Sequence, residues 1–76
     1  MDNLMSIFVR ADFYDNGEIK PICCEYNGHT AWIRAVSSVY YNHPLLKKQG
    51  MVFDCIFRDG ACYELFFINY RWYKIK

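Results

Sequence analysis

The chain has 76 residues, is 54% hydrophobic and 20% aromatic, and carries a formal net charge of +1. That composition excludes a disordered polar chain, and the near-neutral balance excludes a bulk nucleic-acid binder of the strongly basic kind. No apolar run approaches the roughly 20 residues of a membrane helix. Met1-Asp2-Asn3-Leu4-Met5 has neither the basic nor the apolar region of a secretory signal.

These bounds predict one domain over residues 1–76, cytoplasmic, with residues 1–5 a loose N-terminus. In that compartment Cys23, Cys24, Cys55 and Cys62 read as reduced, small apolar fillers. Residues 1–38 hold an acidic excess and residues 39–76 a basic one, which leaves room for a local basic patch near the C-terminus.

Residues 7–14 alternate, with Ile7, Val9, Ala11 and Phe13 on one face. Asp15-Asn16-Gly17 then reads as a three-residue loop that pairs Tyr14 with Glu18 and Phe13 with Ile19, Gly17 taking the left-handed position of a G1 bulge. Pro21 cannot donate to a ladder, and Ile19 and Ile22 are out of phase, so a bulge or an edge is expected there. A two-residue Asn27-Gly28 turn pairs Tyr26 with His29, Cys24 with Ala31 and Ile22 with Ile33. The third strand extends to Val39 or Tyr41.

Asn42 as N-cap, Pro44 in a first turn and Gly50 as a stop predict one or two helical turns over 43–49. Beyond them the Asp59-Gly60 signal admits two registers. A two-residue turn would bury Glu64 among Cys55, Phe57 and Phe66. A three-residue Arg58-Asp59-Gly60 loop instead groups Met51, Phe53, Cys55, Phe57, Tyr63, Leu65 and Phe67, with Asp54 and Glu64 opposite. Burying an unpaired carboxylate costs several kcal/mol, so the second register is the expected one. Asn69 opens another turn, and residues 71–75 form the last strand.

The sum is an all-β chain: a six-strand antiparallel meander with one helical insert. A flat sheet would leave an aromatic face wet, so a small SH3-like barrel or a strongly bent sheet is predicted.

Phe13-Tyr14-Asp15-Asn16-Gly17-Glu18-Ile19-Lys20-Pro21, the Tyr26-Asn27-Gly28 hairpin and Arg71-Trp72-Tyr73 together resemble a group of short uncharacterised bacterial β-rich proteins. Cys23-Cys24 and Leu65-Phe66-Phe67 lie outside that pattern. The resemblance implies a small bacterial β-domain and carries over no site residue.

Candidate chemistries are thin. Adjacent Cys23 and Cys24 face opposite sides of a strand, and Cys55 and Cys62 also diverge, so zinc spacing is missing. Cys24 and His29 could share a face, but no third orienting group or oxyanion hole accompanies them. Asp54 and Glu64 beside Arg58 read as a solvated charge ladder, and no Gly-rich phosphate loop exists. The expectation is a non-enzyme without metal or cofactor.

What remains is surface. Trp32, Arg34, Val52, Ile56, Phe66, Ile68, Arg71, Trp72 and Lys74 form the candidate interaction surface. It fits a protein partner, unidentified or a second copy of the chain, and no membrane. The alternative is weak single-strand nucleic-acid binding by Trp32, Trp72 and the late basic residues, Lys74 and Lys76 among them. Leu45 and Leu46 are the natural intramolecular cover if the outer apolar residues are not free.

Overall fold

A computed structural model describes residues 3–75. They form seven strands: β1 (Leu4–Ser6), β2 (Phe8–Phe13), β3 (Ile19–Tyr26), β4 (His29–Tyr41), β5 (Met51–Phe57), β6 (Cys62–Ile68) and β7 (Arg71–Ile75). All pairs are antiparallel, in the spatial order β1-β7-β6-β5-β4-β3-β2. The two outermost strands are thus consecutive in the chain, with Ile7 alone between them. A flat sheet would hold them six spacings apart, roughly 29 Å, and a one-residue link reaches only about 7 Å. The sheet must curl. It does so into a half-barrel, where the Ile7 N–H donates to the Trp72 carbonyl at 3.3 Å.

The turns follow their residues. Asn27 (φ 49°) and Gly28 (φ 78°) close a two-residue hairpin that pairs Tyr26 with His29. At Gly17 and Gly60 (φ 90° each) the chain makes three-residue bulged loops. The Tyr14 N–H donates to Glu18 O at 2.9 Å and the Phe57 N–H to Ala61 O at 2.8 Å. In both loops an Asx side chain accepts the N–H two residues on: Asn16 from Glu18 at 3.0 Å, and Asp59 from Ala61 at 2.9 Å. Asp54 stands opposite Glu64 and Cys55 opposite Tyr63, the register that keeps Glu64 off the Phe53 face.

Four expectations need correction. The strand count is seven, because Leu4 and Met5, expected in a loose terminus, pair with Ile75 and Lys74; residues 1 and 2 lie outside the described residues. Residues 43–49 hold no helix. Asn42 is left-handed (φ 65°), and a single turn follows in which the Leu46 N–H donates to His43 O at 3.0 Å. The His43 ring accepts the Leu45 N–H, also at 3.0 Å. Ile22 does not pair with Ile33: it is the extra residue of a bulge between Arg10↔Cys23 and Ala11↔Pro21. The β3–β4 ladder accordingly ends at Cys23↔Trp32. From Ile33 on, β4 pairs with β5, bulging at Arg34 and Ser37.

Apolar packing is two-layered. The concave side buries Cys24, Phe53, Cys55, Phe57, Leu65 and Trp72. The convex side buries Val52, Phe66 and Ile75 beneath Leu4, Tyr40, Leu46, Ile68 and Tyr73. The 42–50 loop provides part of that cover, and Gly50 is there because of it. A Cβ on Gly50 would stand 2.6 Å from the Phe66 ring and 2.8 Å from the Phe67 carbonyl. With a Cα radius of gyration of 11.7 Å, the molecule has the size of a compact chain of this length, about 11 Å.

Candidate interaction surface

The nine residues expected to form one surface are dispersed by the roll. Val52 and Phe66 are fully buried and cannot meet a partner, and Trp72 is 8% exposed on the concave side. Ile56 and Ile68 are half-buried on the convex side. Lys74 turns inward, opposite Leu65 and Met5, with its ammonium 3.8 Å from the centroid of the Tyr63 ring. Arg34 and Arg71 are exposed. Trp32 is partly exposed, but the Arg58 guanidinium covers its ring at 5.3 Å.

A different set does converge. In an antiparallel meander every second turn lies at the same end, so the 14–18 loop, the end of β4, the start of β5 and the 69–70 turn meet. Phe13 (57% exposed), Tyr14, Val39, Tyr41 (62%) and Tyr70 (90%) stand around that end. Two adjoining grooves run between them. One passes between Phe13 and Tyr70 over Phe67, and the other between Ile19 and the Val39–Tyr41 side. The second groove is the gap left where β3 and β4 part. Among the described residues, β4 beyond Trp32 has no strand partner on that side.

This rim is anchored. The Phe67 ring lies 5.7 Å from Phe13, 6.2 Å edge-on from Tyr70 and 4.7 Å from Trp72. Trp72 in turn lies 5.3 Å from Phe53. A chain of rings thus connects Phe13 and Tyr70 at the exposed end to the centre of the core. Residue-by-residue reading misses this end because alternation groups Phe13 with Ile7, Val9 and Ala11, and Tyr41 and Tyr70 are brought together only by the meander. The signal was available: each of these aromatics sits in or beside a turn of the same parity.

The polar groups of the convex side form a separate cluster. The Tyr40 hydroxyl donates to Glu64 Oε2, and His43 Nε2 lies 3.2 Å from Glu64 Oε1. Because His43 Nδ1 accepts the Leu45 N–H, Nε2 carries the hydrogen and donates. The Ser38 hydroxyl donates to Asp54 Oδ2. Burial pushes the Tyr40 hydroxyl well above its usual range, reinforced by Glu64, so it remains a donor. This cluster ties the 42–50 loop to β6, and both nitrogens of its histidine are occupied.

The thiols are similarly quiet. Burial raises Cys24 to about 11 and Cys55 to about 12, and Cys62 alone of the four is exposed. No helix long and apolar enough to cross a membrane occurs among the described residues. Comparison of the chain with family models, curated proteins and solved structures finds no match.

Proposed function

We propose that this chain is a non-catalytic interaction module that takes an extended segment of a protein partner at its aromatic end. The observation that carries the reading is the coincidence, at one place, of exposed anchored rings and an open strand side. Phe13, Tyr14, Tyr41 and Tyr70 offer apolar and hydrogen-bonding contact. Beside them, β4 presents backbone groups with no ladder partner toward β3. Aromatic anchors concentrate binding energy at interfaces, and an open strand supplies main-chain hydrogen bonds to an extended guest. The bulges at Arg34 and Ser37 belong to the ladder with β5 and bend β4, which restricts indiscriminate pairing along its open side. In size and curl we read the roll as an SH3-like scaffold for this role, acting in the bacterial cytoplasm.

The test is selection of peptides from a random displayed library, followed by binding to the native protein and to a Phe13→Ser/Tyr41→Ser variant. The expected outcome is a family of extended apolar peptides that protect the amides of residues 38–41 from hydrogen exchange and bind the variant at least about tenfold more weakly. Binders indifferent to the variant, or no enriched family, would reject the module. Self-association lost in the same variant would identify a second copy as the partner. Oligonucleotide binding at low salt that falls steeply with added salt would replace the proposal with the nucleic-acid reading, for which Trp72 is poorly placed.

A further inference from the structure

At the opposite end of the roll, the concave side forms a half-open cavity of about 220 Å³. Its buried walls are Cys24, Phe57 and Leu65, with the half-buried Ile7 beside them. Tyr63 and Lys74 line its more exposed part. We propose that this cavity is a binding site for a small monocyclic aromatic carboxylate, the ring lying against the apolar walls and the carboxylate meeting Lys74.

Volume selects the body of the ligand. An apolar cavity of about 150 Å³ accepts benzene, so the 220 Å³ of this half-open one accommodates a single ring with a short substituent. Charge selects the head. The Lys74 ammonium is turned inward by the β7 register and rests on the face of Tyr63. The sole ion pair among the described residues is His43–Glu64, on the other side of the sheet. An aromatic face attracts a cation less strongly than a hydrogen bond to a charged group does. Lys74 thus gains by exchanging or supplementing that contact with an anion. Asp59 also lines the cavity; its Oδ1 accepts the Ala61 N–H within the 58–60 loop, and among the described residues it makes no ion pair with Lys74. Nothing in this assignment depends on the aromatic end being a protein-binding surface.

The experiment is an amide-resolved NMR titration of the whole chain with phenylacetate, phenylacetamide and phenethylamine, which share a ring and differ in head-group charge. Phenylacetate is expected to shift Met5, Ile7, Tyr63 and Lys74 saturably, with a dissociation constant of about 1 mM or tighter, and the amide to bind about tenfold more weakly or worse. Lys74→Met retains the aliphatic stem. It is expected to bring phenylacetate down to the level of the amide while leaving the amide unchanged. Ile7→Phe, which fills the cavity, is expected to abolish both. The site is overturned if phenylacetate fails to saturate by about 20 mM, if the amide binds equally well, or if the amine binds best.

Discussion

At the scale of single residues, the Glu64 carboxyl is governed by opposing effects. Partial burial raises its pKa, but the hydrogen bonds from Tyr40 and His43 outweigh burial and hold it below the ordinary 4.5. A folded-state value below the unfolded one stabilises the fold fully above about pH 4.5 and loses that contribution as pH falls through the folded value. Glu64→Gln should therefore flatten the acid limb of stability below pH 4.5 in urea titrations. Glu64 remains more than a third exposed, so that limb is shallow. Tyr40→Phe removes the donor and is expected to cost about 1–2 kcal/mol at pH 7. Tyr70 presents the reverse case. It occupies a left-handed turn position (φ 59°) that favours glycine, at a cost of roughly 1–2 kcal/mol. Tyr70→Gly should raise the urea midpoint by the equivalent of about 1 kcal/mol, reduced by the lost contact with Phe67. The same change should weaken binding at the aromatic end, a stability gain set against function.

Among the elements, the 42–50 loop departs furthest from its sequence signals and shows why. Asn42, Pro44 and Gly50 carry helix start and stop chemistry, yet the segment's structure is settled by what lies beneath it. Leu46 covers Val52 and Phe66, His43 fastens to Glu64, and Gly50 leaves room for the Phe66 ring. Gly50→Ala is expected to cost about 1–3 kcal/mol by overpacking, since the Phe67 carbonyl cannot move aside. The loop should then be cleaved faster by trypsin at Lys47 and Lys48. The four hairpin turns, by contrast, were legible because a positive φ and a bulge are local demands met by local residues. The Glu64 register was legible because one buried carboxylate outweighs any turn preference. The parting of β4 from β3 was not, since it accompanies the Ile22 bulge in β3, while the β4–β5 register with its bulges joins residues far apart in sequence.

For the whole molecule, the roll decides which side chains are inside, and the cysteines report it. At pH 8, with Cys24 and Cys55 raised to about 11 and about 12 by burial and Cys23 buried, a thiol reagent should modify Cys62 alone in the native state and all four after denaturation. The candidate surface depended on the same roll. It sent Trp72 and Lys74 to the concave side and Val52 and Phe66 under the loop, and gathered an aromatic end from strand termini far apart in sequence. The adjacency of β1 and β2 has a further consequence in time. Leu4–Ser6 leaves the ribosome among the first residues of the segment, but its ladder partner, Arg71–Ile75, is among the last. Until then one end of the sheet lacks its closing strand and the Ile7 N–H lacks the Trp72 carbonyl. Pairing across nearly the full length is slow, so the nascent chain passes through a stage in which β6 is an open template.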